Sequence, residues 1–196
     1  MLTSRFDEAL SFARVAHGDQ LRKGKDVTYL SHLLAVSAAV LEADGDEDLA
    51  IAALLHDVVE DTPVSVADVR EHFGDRVAGV VEACSDYVGD DPSAKPPWQE
   101  RKQATVDHLR DLDHDALVVS LADKTHNAVS IAAGASVAGP SYWERYSPSA
   151  SQTLWYYRSL LEVFVTLVEP HQTAALSAAV DEIEQILNAQ LVARGT

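Results

Sequence analysis

Residues 52 to 62, Ala52-Ala53-Leu54-Leu55-His56-Asp57-Val58-Val59-Glu60-Asp61-Thr62, leave this chain few structural options. On a helix turning about 100° per residue, His56, Asp57, Glu60 and Asp61 share one arc of about 140°. Ile51, Leu54, Leu55, Val58 and Val59 take the other side. An ordinary solvated face favours Lys, Gln or Arg, whose long stems stay mobile in water. Here every large polar side chain is a metal ligand or a proton carrier, and Ala52 and Ala53 leave room beside them. The competing reading is an acidic amphipathic surface helix. Either way one helix should carry His56-Asp57 within its body and stop at Thr62-Pro63.

The rest of the chain fits an all-α class. Its 196 residues are enough for one domain with a real core. Apolar residues make up 47%, and no run reads as a series of alternating strands. A net charge of −16 excludes nonspecific binding to a nucleic-acid polymer. It still permits a phosphorylated small molecule, provided a metal and a few placed cations neutralise it. The single cysteine, Cys84, excludes a disulfide framework and a thiolate zinc site, and is expected to be a buried thiol. No apolar run reaches the roughly 20 residues of a membrane span. The opening Met1-Leu2-Thr3-Ser4-Arg5 lacks a signal-peptide core, so a cytoplasmic protein is expected.

Taken in order, residues 3 to 19 predict a helix capped by Thr3 or Ser4, with His17 ending its apolar stripe as a core or second-layer histidine. The loop from Gly18 to Asp26 holds Arg22, Lys23 and Lys25, the densest positive cluster of an acidic chain. It is a solvated turn or an anion site. Ser31 is expected to cap a helix to about Glu42 with His32 in its first turn. Ser65 and Asp68 resemble a capping box for a helix stopping near Gly74, and another runs from about Arg76 to Asp86. Residues 88 to 97 read as a loop. Trp98 starts a helix to about Asp111, and a strongly apolar helix follows from about Asp115 to Ala133. Ser120, Asp123, Asn127 and Ser130 draw a polar line along it, which either lines a site or forms a hydrogen-bonded seam. Residues 134 to 148 read as a loop, and helices over about 149–168 and 172–193 complete the chain, divided by Pro170. Trp155, Tyr156 and Tyr157 on the first of these are core or the mouth of a pocket.

Three helices thus supply one ligand set: His32, His56 with Asp57, and Asp123. Two imidazoles and two carboxylates suit manganese, iron, cobalt or zinc. Glu60, one turn beyond His56, can face the same space and act on water or a leaving group.

His32, His56-Asp57 and Asp123 resemble the pattern of HD-domain phosphohydrolases. The surrounding text is more specific. His17-Gly18-Asp19-Gln20-Leu21-Arg22-Lys23, Tyr29-Leu30-Ser31-His32 and the 52–62 stretch are similar to the hydrolase domain of the RelA/SpoT family. Phe73-Gly74-Asp75-Arg76-Val77, Glu100-Arg101-Lys102 and Leu121-Ala122-Asp123-Lys124-Thr125-His126-Asn127 continue the match in order, from about residue 6 to 131. The resemblance implies a single HD-domain helical bundle over 1–196, with a core of about 3–133 and C-terminal helices at about 149–193. It also implies a manganese-dependent, stand-alone small alarmone hydrolase. Such an enzyme removes the 3′-pyrophosphate of guanosine tetra- and pentaphosphate.

Carried over by motif, His32, His56, Asp57 and Asp123 would hold the metal and Glu60 and Asp61 would act on water. Arg22 and Lys23 would contact the nucleotide, Arg101 and Lys102 the phosphates, and Asn127 the ribose or the metal surroundings. Leu33 and Thr28 stand where the family usually has proline, and neither change removes a ligand. The alternatives are another nucleotide, such as an adenosine analogue, or a nucleotide sensor without turnover. A homo-oligomer is compatible with all of them.

Overall fold

Several helices of this chain begin where a side chain caps them. In the computed structural model, which describes residues 1–85, 96–145 and 148–195, Thr3 accepts from Arg5 N at 3.3 Å to open α1, Ser4–His17. Asp46 accepts from Leu49 N at 3.1 Å to open α3, Glu47–Leu55. Ser65 and Asp68 form the expected reciprocal box ahead of α5, Val66–Phe73. Between these lie α2, Leu30–Glu42, and α4, Val58–Asp61, and α6 follows as Asp75–Cys84. Then come α7, Trp98–His108, α8, His114–Ala138, α9, Ala150–Leu167, and α10, Pro170–Gly195. Short 3-10 segments cover Leu109–Asp111 and Gly139–Arg145. The only β feature among the described residues is an isolated bridge between Leu21 and Thr28. The chain is all-α, as its composition and periodicity indicate.

Two compact units emerge, one of Met1–Pro96 with Leu112–Asp123, the other of Pro97–Asp111 with Lys124–Thr196. The centre of the first is α3. Every residue from Leu49 to Leu55 is buried, because α1, α2 and α6 pack around it. Ala52 and Ala53 are wholly buried in that packing and line no open face. Deleting a side chain here, such as Leu54 or Leu55, would cost about 2–5 kcal/mol. The turn between α2 and α3 needs glycine: a Cβ on Gly45 would lie 2.6 Å from Val40 Cγ1. In the second unit α9 packs on α10 and α7, burying Tyr156, Tyr157, Leu160, Phe164, Leu176 and Ile183.

Four expectations are corrected. The helix through 52–62 is broken: α3 ends at Leu55, and α4 restarts at Val58 with Asp57 as its N-cap. Ser31 is exposed inside α2, whose N-cap is Tyr29, with no side-chain cap. Cys84 is half-buried, its Sγ 3.8 Å from Ala116 O. The apolar helix does not stop near Ala133 but runs to Ala138, where Gly139 at φ 63° ends it. Gly134 breaks nothing because its missing side chain has a packing role: a Cβ there would sit 2.3 Å from the Tyr142 ring. The expected loop at 88–97 lies outside the described residues except for Pro96 and Pro97.

Candidate metal centre and aromatic pocket

The break between α3 and α4 falls on His56-Asp57. His56, the C-cap of α3, keeps a helical φ of −57° and ψ of −30°, while Asp57 takes φ −100° and ψ −2°, the bridge conformation, so the helical repeat breaks at Asp57. His56 Nδ1 lies 2.8 Å from Ala53 O. A carbonyl can only accept, so Nδ1 carries the proton and the Nε2 lone pair faces the other way. Around it gather three further groups. His56 Nε2 is 3.0 Å from Asp57 Oδ2 and 3.6 Å from Asp123 Oδ1, while His32 Nε2 is 3.1 Å from Asp123 Oδ1 and 3.7 Å from Asp57 Oδ2. His32, His56 and Asp123 are buried, and Asp57 is half-buried.

These spacings fit a common ion. Ligand atoms about 2.1 Å from one metal and at right angles to each other lie about 3.0 Å apart. The chemistry of the donors fits too, since two carboxylates and two imidazoles withdrawn from water require a positive charge among them. Protons respond to the same demand. Burial disfavours a charge on His56, but Asp57 and Asp123 outweigh it and raise its pKa well above the usual histidine value. Burial likewise lowers the pKa of His32, opposed by Asp123. Asp57 would be raised by burial, but His56 beside it holds it well below the usual carboxylate range. A divalent ion competes with the His56 proton for one site.

A second layer surrounds the cluster. The Tyr29 hydroxyl donates to Asp57 Oδ2. Burial and the Asp57 charge push the Tyr29 pKa far up, so it remains a donor. Its ring stacks on His17 at 5.1 Å and meets His32 edge-on at 5.5 Å. Arg22 lies 5.8 Å over the same ring. Asp61 Oδ2 accepts from Gln20 Nε2 at 2.9 Å, and Gln20 Oε1 is 2.7 Å from His17 Nδ1. Partial desolvation and the charge of Asp57 raise the Asp61 pKa, opposed by that Gln20 bond. Glu60 is half-buried on α4, Arg22 is half-buried and Lys23 exposed.

The remaining three sequence-predicted residues, Arg101, Lys102 and Asn127, belong to the second unit. Lys102 and Asn127 line a cavity of about 170 Å³ together with Trp98, Lys124, Trp143 and Tyr156; Arg101 is not on its wall. Lys102 Nζ lies 5.2 Å over the Tyr156 ring, and Trp98 meets that ring edge-on at 6.0 Å. The polar line on α8 therefore serves both units. Ser120 and Asp123 are buried in the first, and Asn127 faces the cavity of the second.

Sequence reasoning missed Tyr29, Gln20 and Lys124 as site residues. Tyr29 and Gln20 stand inside the quoted motifs, but nothing in their spacing shows what they touch. Lys124 carries a sharper clue, because it directly follows Asp123 of the cluster.

The HD-domain family profile matches residues 9–141. Among curated proteins, SpoT of Escherichia coli, a bifunctional (p)ppGpp synthase/hydrolase, is 34% identical over 63% of this chain and 17% of its own length. MESH1 of Drosophila melanogaster, a guanosine-3′,5′-bis(diphosphate) 3′-pyrophosphohydrolase, is 38% identical over 64% of this chain and 68% of its own length. A solved metazoan ortholog of SpoT, described as hydrolysing ppGpp, superposes with a TM-score of 0.72 at 31% identity, covering 94% of this chain and 96% of that one. The chain thus spans under a fifth of SpoT and about two thirds of MESH1.

Proposed function

We propose that this chain, which belongs to the HD-domain family, removes the 3′-pyrophosphate of guanosine tetra- and pentaphosphate, releasing pyrophosphate with GDP or GTP. The observation that carries this reading is the convergence of His32, His56, Asp57 and Asp123 with spacings suited to one ion. In this reading those four side chains hold a divalent ion, and we take manganese, which suits a nitrogen and oxygen donor set without sulfur. When bound, the ion supplies a Lewis acid for the phosphoryl oxygens and acidifies water.

The chain's own residues do the rest. Ala53 O fixes the tautomer of His56, and the Tyr29 hydroxyl fixes the rotamer of Asp57. Glu60, three residues after Asp57 in sequence, takes the proton as water attacks the phosphorus that bears the 3′-oxygen, and Asp61 orients that water. The electron pair of the breaking bond leaves with the 3′-oxygen, which is protonated to the ribose hydroxyl. Arg22 and Lys23 contribute positive charge to the nucleotide, and Arg101, Lys102 and Asn127 bind it as well. For Lys102 and Asn127 the support is a cavity that offers aromatic faces and ammonium groups, suited to a planar base bearing phosphates.

We treat the chain as one functional domain, because the family match runs through residues of both units. We place it in the cytoplasm. Among the described residues no helix is long and apolar enough to cross a membrane.

A second reading keeps the chemistry and changes the base, for instance to an adenosine analogue. The walls of Trp98, Trp143 and Tyr156 permit it equally, since a stacking face accepts any base. Turnover of guanosine tetraphosphate with manganese, compared with Asp57→Ala and Glu60→Ala, tests the proposal. Pyrophosphate and GDP from the native protein and none from the variants support it. No turnover by the metal-loaded native protein, with activity on another nucleotide, establishes the second reading instead.

A further inference from the structure

We propose that Gln20 is a positioning residue that holds the Asp61 carboxylate, with His17 setting which end of the Gln20 carboxamide faces it. The inference rests on the hydrolase reading above, in which Asp61 acts on water. Asp61 is the last residue of a four-residue helix and is exposed. One turn of helix has little stability of its own, and an exposed aspartate samples several rotamers. What restrains it comes from 41 residues earlier, the Gln20 Nε2 that donates to Asp61 Oδ2 at 2.9 Å.

Gln20 is itself tied at every polar end. Its backbone N–H donates to His17 O at 2.9 Å, and its carbonyl accepts from Tyr29 N at 2.8 Å. Gly18, at φ +51°, lets the chain leave α1 and fold Gln20 back beside His17. The side-chain oxygen then lies 2.7 Å from His17 Nδ1.

Donor and acceptor rules leave one arrangement. An ionised carboxylate only accepts, so the amide NH₂ faces Asp61 and the amide oxygen faces His17. His17 Nδ1 must therefore carry a proton and donate to the Gln20 oxygen. His17 Nε2 is buried and has no hydrogen-bond partner among the described residues. The Nδ1 edge of the His17 ring meets Gln20, and the stacking of that ring on Tyr29 holds the edge in place.

Two variants of the same length separate positioning from packing. Gln20→Met removes both polar ends, while Gln20→Glu keeps an acceptor for His17 and turns a second carboxylate toward Asp61. We expect kcat to fall about tenfold in Gln20→Met and further in Gln20→Glu. KM, bound manganese per chain and Tm should stay native. In an Asp61→Asn background Gln20→Met should cost nothing more. Native kcat in Gln20→Glu, additive losses, or a kcat loss that only tracks a fall in Tm or in bound metal would each overturn the proposal.

Nitrogen-15 spectra of the native chain read the clamp without any turnover. They should show His17 as Nδ1–H and Gln20 carboxamide resonances that move in Asp61→Asn. A His17 Nδ1 without a proton, or a Gln20 carboxamide blind to Asp61→Asn, overturns the proposal. Failure of the native protein to hydrolyse guanosine tetraphosphate would instead count against the hydrolase reading, and the spectra would still decide the clamp.

Discussion

The His/Asp cluster and the aromatic cavity are built on opposite principles. The cluster is small, largely buried and dense in charge, and two of its groups are held by a neighbour of fixed donor or acceptor sense: His56 by Ala53 O, Asp57 by Tyr29. The cavity is walled by rings, with ammonium groups at Lys102 and Lys124 and one amide at Asn127. Buried charge tolerates little error in distance, because leaving it unpaired is expensive. Stacking faces tolerate much more. The comparison teaches that a centre of the first kind fixes a class of chemistry, while a cavity of the second kind sets how well a given ligand is held.

That contrast makes separable predictions. The largest effect should come from His56→Ala or Asp57→Ala: manganese per chain falls to near zero by elemental analysis, and turnover drops by about three orders of magnitude or more. Stripping the native chain with a chelator should do the same and be reversed by manganese. Tyr29→Phe, which keeps the ring but not the hydroxyl, should weaken metal affinity about 10- to 100-fold in a titration of the apo chain, with Tm nearly unchanged. If affinity holds, Asp57 does not depend on its tyrosine and the first half of the comparison fails.

Lys102→Ala should raise KM for the nucleotide about tenfold and leave bound metal untouched. A loss confined to kcat would break the second half. The smallest effect belongs to a surface network, where Arg76 meets Asp46 and Asp115. Its bond to Arg76 lowers the Asp46 pKa, so this contribution is complete above the ordinary aspartate value and is lost as pH falls through the lower folded value. The groups are substantially exposed, so Arg76→Ala should cost less than about 1 kcal/mol near neutral pH. In chemical denaturation series the difference from the native chain should shrink as the pH drops below about 4.

Much of this protein is legible in its sequence. Helical class followed from periodicity, and the ends of several helices from Thr3, Ser65 and Gly74, because capping is a transaction between residues two to four apart. The convergence of His32, His56, Asp57 and Asp123 could be expected from the sequence, because their motifs resemble a known family and their residue types suit one shared ion. Periodicity also led astray. It ran one helix straight through His56-Asp57, although the pair occupies the gap between two helices; and the Gly-, Pro- and Ser-rich composition after Ala133 ended α8 too early, at a Gly134 whose backbone the Tyr142 ring covers.

Tertiary structure decided the rest. That Tyr29 reaches Asp57, that Gln20 reaches Asp61, and that Trp98, Lys102 and Asn127 share one cavity with Tyr156 are relations across 28, 41 and up to 58 residues. No local pattern encodes them. A residue's type and its near neighbours fix what it can donate, accept or cap, but which distant group it meets depends on how the helices pack, and packing is a property of the whole core.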